Sequence, residues 1–171
     1  MISRAAPFEP ARCGPRQKKR NSCKTIVVRE GRVLFTVNRD DEGEFLMLPG
    51  GGQRFGETLE AAAGRETLEE TGVRVHVRDL VLVREYIGAN HEFAAGDKDA
   101  HQTEFFFMAD PAGDDPGDSQ PTEFDPWQTG SAWIDPVELG SFRVYPKFLP
   151  AILPQIIAGI YTGPLSLGDV N

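Results

Sequence analysis

Cysteine is scarce in this sequence, no apolar run is long, and no segment repeats; each shortage removes a class of protein. The two cysteines in 171 residues, Cys13 and Cys23, lie ten apart, with no CxxC pair and no histidine cluster beside them. A disulfide framework needs more cysteines and a zinc site needs closer ligands, so the default setting is a reducing cytoplasm. No stretch approaches the roughly 20 apolar residues that span a bilayer, so no membrane partner is expected. The basic N-terminal residues are not followed by an apolar core, which argues against a secretory signal.

What is present is ordinary for one globular domain: 40% hydrophobic and 26% charged residues. The net charge of −8 is unevenly spread. Residues 1–24 carry seven cations (Arg4, Arg12, Arg16, Lys18, Lys19, Arg20, Lys24) against Glu9, so the remaining 147 residues hold a net −14. A body that acidic makes nucleic acid an unlikely partner, since nonspecific binding needs a basic surface. The expected organisation is a solvated, disordered basic tail over 1–21, one folded domain over 22–162 and a C-terminal tail over 163–171.

Within the domain, Thr25–Val28 and Arg32–Val37 read as a β-hairpin closed by Arg29-Glu30-Gly31. Phe45–Leu48 is a short strand running into Pro49-Gly50-Gly51-Gly52. Thr58–Thr71 is helical, with Gly72 placed to end it. Gly64 in its middle costs about 1 kcal/mol relative to alanine. Val73–Val77 and Leu80–Tyr86 read as two strands with Arg78-Asp79 between them, Ile87–Ala100 as a polar loop and Glu104–Met108 as an apolar strand. Ala109–Gly130 holds six acids and no base, an unusually long connection that marks a functional or mobile loop. Ser131–Ile134 reads as a last strand, Pro136–Leu139 as the start of a short helix, and Lys147–Ile160 as a helix whose first half contains Pro150 and Pro154. Hairpins, mixed strands and few helices make an α/β sandwich.

The chemistry lies in Gly51–Val73. Glu66, Glu69 and Glu70 stand at i, i+3 and i+4, so a helix puts all three on one face. Like charges that close destabilise a helix, and a hard divalent cation suits an all-oxygen site and removes the penalty. Arg65 is placed to orient one carboxylate through a forked hydrogen bond. The glycines at 50–52 let the preceding loop run close to a metal or phosphate. A bare ExxEE is more often a solvated face; the full spacing is what counts.

That spacing resembles the Nudix box, G-x5-E-x7-R-E-U-x-E-E-x-G-U with U bulky and apolar. Gly51, Glu57, Arg65, Glu66, Glu69, Glu70, Gly72 and Val73 fill it in register; Thr67 departs from it where Ile, Leu or Val is asked for. The resemblance implies a Nudix-type α/β/α sandwich with a mixed central sheet and a hydrolase cleaving a phosphoanhydride in a small nucleotide, a nucleoside diphosphate linked to another moiety. It implies Mg²⁺ or Mn²⁺ held by Glu66, Glu69, Glu70 and the Gly50 carbonyl, with Arg65 holding a glutamate and Glu57 an auxiliary acid. A box glutamate such as Glu66 is one choice of general base. Glu104, Glu123, Asp125 and His101 are others, with Glu104 favoured because it begins a strand expected to approach the site.

Arg39 and Arg54 are the candidate phosphate contacts, and Phe45, Tyr86, Phe93 and Trp127 the candidate stackers of a base, although packing is the commoner role for each. The proline that marks ADP-ribose specialists about 15 residues beyond the box is absent, since 87 and 88 are Ile and Gly. So is the tyrosine of dinucleoside polyphosphate specialists, since 89 and 90 are Ala and Asn. Specificity is expected in the loops 88–102 and 109–130. Two alternatives stand beside the hydrolase: a nucleotide-sensing module without turnover, and an RNA 5′-end pyrophosphohydrolase drawing on the basic tail. A homodimer is compatible with the sequence, which does not specify an assembly.

Overall fold

Alternating small and apolar side chains make Lys19–Arg29 (β1) the strand on which both halves of the molecule are built. Cys23, Thr25 and Val27 face one side of it, and Ile26 and Val28 the other. The computed structural model describes residues 19–113, 121–122 and 126–171. Most of the basic tail and the loop acids Asp114, Asp115, Asp118, Glu123 and Asp125 lie outside the described residues.

The hairpin turn takes Glu30 at φ 49° and Gly31 at φ 76°, the two left-handed residues of a two-residue turn whose twist matches its strands. It leads from β1 into Arg32–Asp40 (β2), which pairs antiparallel with Gly43–Met47 (β3). Gly50–Gly52 (β4) then returns antiparallel to Ser22–Lys24 of β1. Leu59–Thr71 (α1) follows. Thr58 caps its start by accepting from the Ala61 N–H at 3.2 Å, and Gly72 ends it at φ 73° with its N–H on the Leu68 carbonyl. A Cβ on Gly64 would lie 3.6 Å from Val77, an ordinary contact, so no close approach demands glycine there.

Val75–Ile87 (β5), the four-residue helix Ala94–Asp97 (α2) and His101–Pro111 (β6) come next, with β5 and β6 antiparallel and β6 parallel to β1. Gln128–Ile134 (β7) pairs with β2, and Val144–Tyr145 (β8) with β3. Leu149–Ile157 (α3) precedes a last strand, Ser166–Asp169 (β9), parallel to β5. The path β8-β3-β2-β1-β6-β5-β9 is one mixed, curled sheet. On one face α1 sets Ala62 and Ala63 over Cys23 and Phe107; on the other, Leu149, Leu153 and Ile156 of α3 join Ile26, Phe35, Leu46 and Phe106. This is the expected α/β/α sandwich. No helix among the described residues is long and apolar enough to cross a membrane.

The structure corrects four boundaries. Folded pairing begins at Lys19, three residues before 22, because Lys19–Asn21 extend β1 against His101–Thr103. Residues 163–171 are no tail: Asp169 accepts from the Ile87 N–H, Asn90 and His91, and Arg84 donates to the Val170 carbonyl. Arg78-Asp79 is no turn but an irregularity inside β5, where Arg78 pairs with Asp110 across the strands. Helix α3 starts at Leu149, so Pro150 falls in its first turn, where a missing N–H costs nothing.

Thr67, the residue that departs from the box pattern, is fully buried and donates to the Ala63 carbonyl at 2.7 Å. Its oxygen lies 2.7 Å from the equally buried Thr25 hydroxyl. Because the Thr67 proton is committed to Ala63, Thr25 is the donor in that pair. Replacing Thr67 by valine strands a buried hydroxyl and should cost about 1–3 kcal/mol. Thr25→Val with Thr67→Val should recover most of that loss, as measured by urea denaturation; a double variant no more stable than Thr67→Val would show that the hydroxyl pair has no part in joining α1 to β1.

Candidate active site

The box glutamates are organised around one arginine. Arg65 lies in the middle of α1, and Glu57 in the turn before it, so a side chain reaching back along the helix meets that turn. Its Nε and Nη2 donate to the two oxygens of Glu57 at 2.8 and 2.9 Å, a forked pair. The remaining donors reach Glu66 at 2.7 Å, Glu69 at 2.8 Å and the Gly52 carbonyl at 3.0 Å. All four charged side chains are less than a fifth exposed. Glu57 also accepts from the Arg54 N–H. The Arg65 guanidinium holds the Glu57 carboxyl far below its usual 4.5, at about 2, and the carboxylates in turn hold Arg65 in its charged form.

The glycine loop packs against the same carboxylates. Gly50, at φ 138°, is a conformation that suits glycine, and a Cβ there would strike the Cys23 carbonyl at 2.0 Å. Its N–H donates to Glu70 at 2.9 Å. A Cβ on Gly51 would fall 2.6 Å from a Glu66 oxygen, so Glu66 occupies the space that side chain would need. Glu70 is buried, and its backbone carbonyl accepts from Gln128, while that of Glu69 accepts from the Thr122 N–H. The long acidic connection is thereby fastened to the C-terminal end of the glutamate helix.

The Nudix domain model matches residues 19–155, which takes in the whole of this constellation and most of the chain. The chain belongs to the Nudix hydrolase family. Nudix hydrolases act on phosphoanhydride-containing substrates and generally use divalent metals. A MutT-like protein from Streptomyces ambofaciens is 46% identical over 58 residues, a match spanning 34% of this chain and 37% of that protein. The chain thus matches little more than a third of that relative's length. Among solved structures, a Nudix hydrolase from Nitrosomonas europaea superposes with a TM-score of 0.66 at 19% identity, covering 83% of this chain and 90% of that one. An ADP-ribose pyrophosphatase from Streptococcus suis gives 0.59 at 16% identity, covering 88% and 98%. At those identities the likeness is one of fold.

Other sequence candidates fall elsewhere. Glu104 is buried on β6 in a 2.6 Å ion pair with Arg84, and among the described residues no hydrogen bond ties it to the Nudix glutamates. His101, at the start of β6, is 3.8 Å from Glu85 and makes no hydrogen bond at Nε2. Arg54 is more than half exposed and touches Glu69 only loosely, at 3.4 Å. Arg39 pairs instead with Glu44 at 2.7 Å, across the end of β2 and β3. Phe45 and Phe93 pack edgewise on Tyr145, and Tyr86 stacks on His91 at 5.0 Å. Trp127 is the exposed one of the four candidate stackers. Glu123 and Asp125 are outside the described residues.

Sequence reasoning missed Lys24. Its ammonium donates to the Gly50 carbonyl from the opposite strand, and it lines a cavity with Arg84 and Glu104. A lysine inside the otherwise apolar run of β1 was the available signal.

Among the described residues no three acidic, histidine or cysteine side chains converge as a ready metal cluster, because Arg65 draws Glu66 and Glu69 to itself and Gly50 engages Glu70. The donor set still fits a hard divalent cation: it is all oxygen, and four carboxylates face two arginines.

The low acidity range of Glu57 sets a pH signature. Its contribution to stability is complete above about pH 4.5 and is lost as pH falls towards 2. The gap in melting temperature between wild type and Glu57→Gln should therefore shrink steadily from pH 5 to pH 2. A gap that holds constant over that window would remove the Glu57–Arg65 pair as its source.

Proposed function

We propose that this chain is a divalent-metal-dependent pyrophosphohydrolase that cleaves a phosphoanhydride bond in a small nucleotide, a nucleoside diphosphate linked to another moiety. The observation that carries the reading is the single face on which Arg65 gathers Glu57, Glu66 and Glu69, beside Glu70 and the Gly50–Gly52 loop.

Glu66, Glu69, Glu70 and the Gly50 carbonyl are the groups to hold Mg²⁺ or Mn²⁺. A bound divalent ion would supply a polarised water and neutralise charge on the anhydride oxygens. The protein's own part is to keep the acceptors in place. Glu57 and Arg65 act as positioning residues: the fork fixes the guanidinium, and its remaining donors hold one oxygen each of Glu66 and Glu69. Glu66, held on one oxygen by Arg65 and set against the side-chain-free face of Gly51, is the assigned proton acceptor. Glu104 is the weaker choice for that task, because giving up its charge would leave the buried Arg84 with a poorer partner. Arg54, exposed and loosely paired, is the phosphate contact the geometry favours over Arg39.

The ADP-ribose specificity of the Streptococcus suis neighbour is not carried over, since the proline that marks it is missing at 87 and 88. The proposed setting is the cytoplasm, in keeping with Cys23, a buried free thiol whose pKa burial raises to about 11.

The test is phosphate release, with and without Mg²⁺ or Mn²⁺, over nucleoside triphosphates, nucleotide sugars, ADP-ribose, dinucleoside polyphosphates and coenzyme A. Metal-dependent turnover of one class is expected. Glu70→Gln, which keeps an acceptor for the Gly50 N–H, should lower it by on the order of a hundredfold while leaving the melting temperature in place. Silence across the panel, with tight nucleotide binding retained, would replace the hydrolase with a sensing module.

A further inference from the structure

Gly50 sits between two charges of opposite sign. Its N–H donates to Glu70 of α1, and its carbonyl accepts from the ammonium of Lys24 on β1. No other residue type suits the position, given φ 138° and the Cys23 carbonyl where a Cβ would go. The oxygen assigned above to a divalent ion is thus already held by a cation belonging to the chain.

The far side of that lysine is not closed. Lys24 lines a cavity with Leu48, Arg84, Glu104, Tyr145 and Pro146. Within it Glu104 is the anionic lining group, and it is engaged by Arg84 at 2.6 Å. An ammonium that leaves Gly50 therefore remains beside a carboxylate, with no need to enter an apolar space.

We propose that Lys24 is a built-in competitor for the metal position: its ammonium holds the Gly50 carbonyl until a divalent ion takes that oxygen, and is then released towards Glu104. The inference rests on the reading of the glutamates as a metal site. Two cations at one carbonyl repel each other, so occupancy by one opposes the other. In the absence of metal, Lys24 keeps the glycine loop in the conformation the ion requires; in its presence, the same residue places a positive charge in the neighbouring cavity. If Lys24 holds the carbonyl about nine-tenths of the time, it weakens the apparent affinity for the ion about tenfold.

The experiment is a titration of the full chain with Mn²⁺, followed by the loss of the free-ion electron paramagnetic resonance signal. Lys24→Met should bind Mn²⁺ about tenfold more tightly than wild type, a gain that survives raised salt because the competition is direct. Arg54→Gln removes a charge beside Glu69 without touching Gly50, and its gain should be smaller and should fade with salt. In unmutated protein, acetylation of Lys24 by acetic anhydride, read by peptide mass spectrometry against Lys98, should speed up when Mn²⁺ is added.

Unchanged or weaker Mn²⁺ binding in Lys24→Met, or labelling of Lys24 that ignores the ion, overturns the proposal. If Glu70→Gln still abolishes Mn²⁺ binding in that case, the metal reading stands alone. A folded wild type that binds no Mn²⁺ removes both.

Discussion

The Arg65 guanidinium is the constraint from which the rest of the site follows. Glu57, Glu66, Glu69 and Glu70 crowd one helix end and the turn before it, an arrangement that like-charge repulsion alone would splay apart. One rigid fork with five N–H donors spends two on Glu57, one each on Glu66 and Glu69, and one on the Gly52 carbonyl. Lysine has three donors on a flexible stem and no fixed plane, so it cannot tie a turn, a helix face and a loop together at once. The same hub that keeps the carboxylates together also holds them short of a finished metal cluster, which makes the cation the missing partner of an otherwise assembled face.

The sheet places that hub. β1 carries the Cys23–Thr25–Val27 side that receives α1 and the Ile26–Val28 side that receives α3, and its antiparallel pairing with Gly50–Gly52 brings the loop onto the helix. Thr25 and Thr67 show how local chemistry adapts to this. Where the family pattern has an apolar residue, this chain has a hydroxyl, and the opposing strand supplies a second hydroxyl to match it.

How much was legible depended on how local the information was. The glutamate helix, its Thr58 cap and its Gly72 stop are written in spacings of a few residues, and Glu57, Arg65 and the three glutamates were legible with them. Arg78-Asp79 misled because turn-forming residues also suit an irregular strand, and only the partner strand, through Asp110, shows which they are. The C-terminal stretch read as a tail because it is short and rich in Gly and Pro, while the groups that dock it, Ile87, Asn90 and His91, lie some 80 residues away. Glu104 was visible as an acid at the start of a strand, but its commitment to Arg84 is a matter of cross-strand register. Lys24 was invisible for the same reason: its role depends on the strand opposite.

The central claim is that Glu57 and the helix glutamates are coupled through Arg65. A double-mutant cycle with Glu57→Gln and Arg65→Lys, read by chemical denaturation at pH 7, tests it most directly. The account predicts a coupling free energy of about 1–3 kcal/mol, with the double variant far less destabilised than the sum of the singles. Single-variant effects that add to within about 0.5 kcal/mol would contradict it, and the carboxylate face would then be held by the helix and the glycine loop without the arginine.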